Sequence, residues 1–304
     1  MAGHDLSVRL CGVRGSYPVS GQKFARYGGN TSCIEVRAKG HVIILDAGTG
    51  IIGLGNQLLP EIEQHTQKSG KPFVINILFS HTHHDHIQGL PYFAPAYQDK
   101  CVVNLYGTRT FSQSLQQIFS VYMAPQYSPI EMEELHARIN IEHMNENDVL
   151  IFPAGADSPR LCRGADLPSP SNQEVVVSFL RNYAHPKIGT FVIKVSVNGK
   201  SAVYATDTEG YVGGDVRLSQ FAKNANLLIH DAQYDVEHYA QTQGFGHSTY
   251  EMATTVARAA QVDNLVLFHH DPCHDDDKLH EMESKAKELF ANTSAATEGQ
   301  VFRF

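Results

Sequence analysis

Short apolar, β-branched runs recur along the whole chain: Leu6 to Leu10, Cys33 to Arg37, Val42 to Leu45, Val74 to Phe79, Val102 to Tyr106, Val175 to Leu180, Phe191 to Val197, Ala202 to Ala205, Leu227 to His230 and Leu265 to Phe268. Each run is brief and β-branched, which predicts a strand. Between them the pattern predicts helices over Thr108 to Tyr122, Val216 to Asn224, Ser248 to Ala260 and Asp276 to Ala291. Ser248 stands three residues before Glu251, a capping-box spacing, and Asp275 to Asp277 put negative charge at a helix start. Strands and helices therefore alternate in both halves, as in a layered α/β protein. Pro153 to Asn172, rich in Pro, Ser, Gly and Asp, reads as an exposed loop, and not as a linker because candidate ligands lie on both sides of it. One domain over residues 1–304 is expected.

Ile44 to Thr49 and Tyr204 to Glu209 echo one another, each an apolar strand ending in Asp and then a turn. The echo fits two similar β-rich halves whose strand ends converge on one cleft.

Composition narrows the picture. With 42% hydrophobic and 18% charged residues the chain has ordinary globular balance and enough apolar material for a two-sided core. No apolar run approaches the roughly 20 residues that span a bilayer, and Met1 to Gly12 lacks a signal-peptide pattern, so a cytoplasmic protein without membrane contact is expected. Cys11, Cys33, Cys101, Cys162 and Cys273 are scattered and never spaced Cys-x-x-Cys, which suggests neither a disulfide framework nor a thiolate zinc site. The net charge of −8 argues against a broad basic face, making nucleic acid an unlikely partner on this ground. The 17 histidines are more telling, because several cluster with aspartates at the ends of apolar runs.

Ser80-His81-Thr82-His83-His84-Asp85-His86 follows directly on the strand ending at Phe79. Such a loop can aim alternate imidazoles at one metal while the carboxylate and the last imidazole turn toward a second; Asp oxygen and His nitrogen suit zinc or another first-row ion. His84 reads as pointing away. Read alone, His185 is a loop histidine, Asp207 a turn aspartate, and His269 competes with His270. Asp46 reads as a residue that orients a ligand histidine or the metal loop. His4, His41, His65, His136, His143, His238, His274 and His280 have no such context and read as surface or packing residues.

The His-x-His-x-Asp-His segment resembles the signature of the metallo-β-lactamase superfamily. Leu45-Asp46-Ala47-Gly48, His185, Asp207, His247 and His269 follow in the order of its phosphodiesterase branch. The resemblance implies a four-layer αββα sandwich. It also implies two divalent ions, Zn2+ or alternatively Mn2+ or Co2+. His81, His83 and His185 would hold the first; Asp85, His86 and His269 the second, with Asp207 bridging. Gly246-His247-Ser248-Thr249 resembles the Gly-His-Ser-Thr of transfer-RNA 3′-processing endonucleases (RNase Z) and related cyclic phosphodiesterases. His247 would then protonate the leaving oxygen and Asp231 fix its tautomer, so His247, Asp231 and Asp85 are the expected catalytic residues. In the segments Val13 to Pro18 and Tyr27 to Ser32, the residues Ser16, Asn30, Thr31 and Ser32 are expected to contact substrate.

The expectation is a metal-dependent phosphodiesterase opening cyclic nucleotides such as cAMP or cGMP, a small-molecule substrate, to nucleoside monophosphates, and the resemblance implies a homodimer. RNA 3′-end processing shares the metal site but lacks here a long Gly/Pro-rich basic arm. Phosphoribosyl cyclic phosphate hydrolysis lacks its branch's cysteine cluster, and lactone or thioester hydrolysis fits His247 and Asp231 less well. A non-catalytic metal-binding protein of the same fold is the alternative of another class; all seven ligand positions being filled weighs against it.

Overall fold

A computed structural model describes residues 4–108, 113–156, 158–163, 174–185, 189–211 and 213–304. Its first half runs β1 (Leu6–Gly12), β2 (Cys33–Ala38), β3 (His41–Leu45), α1 (Gly50–Ser69), β4 (Phe73–Leu78), α2 (His84–Ile87), β5 (Cys101–Thr108), α3 (Leu115–Tyr122), β6 (Arg138–Met144), β7 (Val149–Phe152) and β8 (Arg160–Cys162). The second runs β9 (Val175–Asn182), β10 (Thr190–Val197), β11 (Lys200–Ala205), α4 (Val216–Phe221), β12 (Leu227–Asp231), α5 (Val236–Thr242), α6 (Tyr250–Ala260), β13 (Leu265–Phe268), α7 (Asp276–Leu289), β14 (Thr293–Ala295) and β15 (Val301–Arg303).

Two mixed sheets result, ordered β15-β1-β2-β3-β4-β5-β6 and β14-β13-β12-β11-β10-β9-β7-β8. Three apolar cores separate four layers. Between the sheets, Leu10, Val36 and Ile43 of the first pack with Phe152, Ile193 and Phe268 of the second. Outside the first sheet, Ile44, Ile75 and Val103 pack with Ile51, Leu54 and Leu58 of α1 and Phe119 of α3. Outside the second, Val203, Leu228 and Leu265 meet Leu218 of α4, Val256 of α6 and Leu279 of α7. This is the expected αββα sandwich. Alternate residues of β3 face opposite cores, Ile43 and Leu45 inward and Val42 and Ile44 outward, which is why its run is apolar throughout instead of alternating.

Parallel pairing of β3, β4 and β5 in one sheet and of β11, β12 and β13 in the other sends each set of carboxyl ends to one edge. Asp46, the 80–86 loop, Asp207, Asp231 and His269 all lie at those ends. Loops at the carboxyl ends of parallel strands are where layered α/β folds carry their sites.

Several elements depart from expectation. The 20-residue helix α1 was not anticipated, because Gly50, Gly53, Gly55 and Pro60 interrupt its pattern. Burial of Ile51, Leu54, Leu58 and Ile62 along one stripe overrides those breakers. Strand β6 is an edge strand whose polar residues alternate with half-buried Ile139 and Ile141, and β8, β14 and β15 are three residues each, too short to register as apolar runs. The helix expected from Thr108 begins at Leu115, where Ser114 and Gln117 form a capping box; residues 109–112 lie outside the described residues. So does much of the loop expected over Pro153 to Asn172, and Pro186. The cap of α6 is Thr249, whose hydroxyl accepts from Met252 N, and not Ser248, whose hydroxyl donates to the Thr208 carbonyl. Asp275 caps α7 as its position suggests, accepting from Lys278 N.

Candidate metal centre and its acid pair

Strand β4 ends at Leu78, and the next residues turn back under its tip. The Ser80 N–H and Oγ–H both donate to Asp46, each at 2.7 Å, so the Asp46 carboxylate fixes the start of the histidine loop. It also binds Nδ1 of His86 at 2.7 Å and accepts from the Tyr204 hydroxyl at 2.8 Å, across the sandwich. With Nδ1 so held, His86 presents Nε2 to the cleft.

Two clusters form. His81, His83 and His185 group together, and Asp85, His86, Asp207 and His269 form a second group, in each case with ligand atoms within 4.8 Å of one another. Asp207 divides its oxygens between them. Oδ1 lies 3.1 Å from His86 Nε2 and 3.2 Å from His269 Nε2, while Oδ2 lies 3.7 Å from His81 Nε2 and 3.8 Å from His185 Nε2. Asp85 Oδ2 approaches His86 Nε2 at 3.2 Å and His269 Nε2 at 3.1 Å. His83 is the exposed member, at the open side. His84 is exposed, with its ring against Tyr122 at 5.7 Å, outside both clusters.

The donor set fits two metal ions. Among the described residues, Nε2 of His81 and of His86 are buried with no hydrogen-bond partner, an arrangement costing about 1–3 kcal/mol per group unless something occupies the space they face. Five imidazoles and two carboxylates facing one space are a set that divalent first-row ions satisfy. Burial, reinforced by His86, holds His81 well below the ordinary imidazole range, and burial with the neighbouring His185 lowers His83 to about 4. Both are neutral near pH 7, the form in which imidazole binds a cation. Burial opposes ionisation of Asp85 and Asp207, yet His86 beside the one and His269 beside the other outweigh it, so both carboxyls lie well below their usual value.

His269 and His185 are each oriented by the second ring nitrogen. His269 Nδ1 meets Gln233 Oε1 at 2.8 Å, and His185 Nδ1 donates to the Gly246 carbonyl at 3.1 Å. His270 points elsewhere, its Nε2 donating to the Ala296 carbonyl at 2.9 Å, which settles the choice between the two neighbours as to which one faces the clusters.

His247 lies over this centre, its ring stacked on His269 at 4.9 Å. Its Nδ1 is 2.7 Å from Asp231 Oδ2, while Asp231 Oδ1 accepts from the N–H groups of Ser248 and Gln233. Burial works against a charge on His247, but the Asp231 carboxylate overcomes it and raises the imidazole to about 9.

The four residues expected to contact substrate are placed differently. Ser16 is exposed and donates its backbone N–H to Asp85 Oδ2 at 2.7 Å. Asn30 is tied by N–H and side-chain amide to Glu298, at 2.6 and 2.9 Å. Thr31 and Ser32 are fully buried; Thr31 Oγ1 accepts from Thr49 N and from Gln88 Nε2, bracing the metal loop, and Ser32 Oγ donates to the Arg14 carbonyl. The polar groups of Asn30, Thr31 and Ser32 thus bond within the protein. Arg14 is likewise buried, donating to the carbonyls of Gly28, Asp271 and His274. The nearby glycines serve close packing, since a Cβ on Gly15 would come within 2.4 Å of the His269 ring and one on Gly48 within 2.3 Å of the Asp85 carbonyl. Gln233, Tyr204 and Ser80 were not singled out from sequence. Gln233, two residues after Asp231 at a strand end, carried the only local signal.

Comparison with known proteins agrees with the geometry. The Beta-lactamase superfamily domain matches residues 41–270, and the chain belongs to that family. It is similar to a ribonuclease Z of Halalkalibacterium halodurans, 36% identical over 104 residues, a stretch spanning 34% of this chain and only 32% of that protein. A ribonuclease Z of Picrophilus torridus is 24% identical over 325 aligned positions, covering 96% of this chain and 94% of its own. Among solved structures, the metallo-beta-lactamase fold protein YhfI from Bacillus subtilis superposes with a TM-score of 0.66 at 16% identity, covering 98% of this chain and 99% of its own. Human tRNase Z, short form, does so with 0.60 at 21% identity, covering 97% and 98%. The superfamily resemblance read from the motifs is thus borne out, as is the fold.

Proposed function

We propose that this protein is a metal-dependent phosphodiester hydrolase. The observation that carries the reading is the His247–Asp231 pair set against the His/Asp centre. A phosphodiester with an alkoxide leaving group needs a proton delivered at the leaving oxygen, and a donor for it must still be protonated at neutral pH. His247 has Nδ1 committed to Asp231, so Nε2 carries the transferable proton. His81, His83 and His185 would hold one divalent ion and Asp85, His86 and His269 the other, with Asp207 between them. Ions bound there supply Lewis acidity toward phosphoryl oxygens and activate water. The chain's own residues do the rest: Asp46, Gln233 and the Gly246 carbonyl hold the ligand rings in aim, and Asp231 keeps His247 protonated.

For substrate we favour a cyclic nucleotide opened to a nucleoside monophosphate. A compact ester needs no extended basic track, which suits the net charge of −8. Processing of RNA 3′ ends is the second reading, and the two relatives named ribonuclease Z favour it, so they give no support to the expectation that nucleic acid is not a partner. Measuring kcat/KM for cAMP, cGMP and a transfer-RNA precursor at fixed salt, with zinc, manganese and cobalt in turn, decides between them. Efficient RNA cleavage with negligible cyclic nucleotide turnover reverses the order, and no turnover of any phosphodiester ends the reading.

A further inference from the structure

A hollow beside the centre has no part in the chemistry above. It measures about 400 Å³ and is lined by Ala184, Glu209, Tyr211, Tyr239, Gln243 and Met252. A second hollow of about 210 Å³ shares Tyr211, Tyr239 and Met252 with it. We propose that this hollow is the subsite for the planar base of a nucleotide whose phosphate lies at the His/Asp centre, with Tyr211 and Tyr239 supplying the ring surfaces and Gln243 the polar edge. The inference rests on the phosphodiesterase reading and names the substrate class within it.

Placement is the first argument. Ala184 adjoins His185, Glu209 follows Asp207 by two residues, and Gln243 precedes His247 by four. Three of the segments that build the centre thus each contribute a wall, so a ligand anchored at the centre by its phosphate would have the hollow as its neighbour. Its volume lies within the roughly 300–1,000 Å³ usual for small-molecule sites.

Chemistry is the second. Tyr211 is 54% exposed, leaving ring area open for stacking. The Met252 thioether offers the polarisable, sequence-tolerant contact that aromatic rings accept. Every base has a π-face, so such a surface binds bases generally, and an edge amide such as Gln243, both donor and acceptor, can discriminate among them.

Rigidity is the third. The Glu209 carboxylate accepts from the Tyr239 hydroxyl at 2.7 Å, from Gly244 N at 2.7 Å and from Gly246 N at 3.0 Å. Its charge is taken up by these donors, and the same bonds lock the Tyr239 ring. Because the Gly246 carbonyl holds His185, the wall of the hollow and the aim of a candidate ligand belong to one hydrogen-bonded unit. Preorganisation of this kind lowers the ordering cost of binding.

The test compares wild type, Tyr211→Ala and Tyr211→Phe on three esters: cAMP as the cyclic mononucleotide, a short oligoribonucleotide, and 1-O-methylribose 3,5-cyclic phosphate, which has no base. The ratio of kcat/KM for nucleotide over base-free ester should fall about tenfold in Tyr211→Ala, mainly through KM, and be retained in Tyr211→Phe, in keeping with what base stacking contributes. A fall confined to the mononucleotide assigns the base to a small substrate, and one confined to the oligomer assigns it to RNA. An unchanged ratio on both overturns the subsite while leaving the phosphodiesterase reading intact. If wild type hydrolyses none of the three, that reading falls instead, and adenosine binding decides the subsite. Read by calorimetry, an adenosine Kd that rises in Tyr211→Ala supports the pocket, and no binding to wild type refutes it.

Discussion

Asp46 follows β3 in one sheet and Asp207 follows β11 in the other, and both are buried with left-handed backbone, at φ of 61° and 49°. Their surroundings differ. Four donors, from the Ser80 backbone and hydroxyl, His86 and Tyr204, saturate the Asp46 carboxylate. Around Asp207 the near neighbours are imidazole nitrogens of both sheets, with the Thr206 hydroxyl alone donating to Oδ1 at 2.6 Å. Equivalent strand ends have thus delivered two buried carboxylates, one made into a brace by its donors and one left open to cations. Conformations of this kind cost about 1–3 kcal/mol each and persist where the surroundings fix them. His269, at φ 63°, and Ser16, at φ 62°, show the same at the same cleft.

If the contrast is right, Asp207→Ala removes turnover altogether while Asp46→Ala only weakens it. Steady-state assays of the two variants at saturating metal make the comparison, and equal losses would erase the distinction. His247→Ala comes next: it should keep its metals yet lose about 10²- to 10⁴-fold on an alkyl phosphodiester, and far less on a nitrophenyl ester. A raised pKa means that the acid is present below it, so kcat/KM in wild type should decline on an alkaline limb at or below about 9, since bound cations oppose protonation of His247. That limb should vanish in the variant. Asp46→Ala, acting through His86, should lower metal affinity by about 10- to 100-fold, read by competition with a chelating dye. Smallest is Asn30→Ala, which should cost about 1 kcal/mol in urea unfolding through loss of its side-chain bond to Glu298, with KM unmoved; a large rise in KM would put Asn30 on the substrate face.

The two halves also differ in how much of the site could be read from the chain. Residues 80–86 carry four candidate ligands on consecutive turns of backbone, so proximity in sequence stood for proximity in space. His185, Asp207 and His269 arrive one at a time from different strand ends and His247 from the turn between α5 and α6, and all four were placed only by resemblance to a known order of residues. The sandwich was legible because central strands buried on both faces leave unmistakable apolar runs. Helix α1 and edge strand β6 were not, since tertiary burial overrode the local breakers in one and half the surface of the other faces solvent. The internal bonds of Asn30, Thr31 and Ser32 were not legible, because a small polar residue beside glycine looks the same in sequence whether it meets ligand or Glu298, Thr49 and Gln88. Tyr204 was invisible, as its bond to Asp46 crosses between sheets.

Stepwise metal loading tests the central claim most directly. Metal-stripped protein titrated with zinc, with bound metal measured by elemental analysis and activity on a phosphodiester followed in parallel, should take up about two ions per chain and reach full turnover only as the second is bound. Full turnover at a single equivalent, or a second equivalent bound without any gain in rate, would contradict a dinuclear centre joined by Asp207.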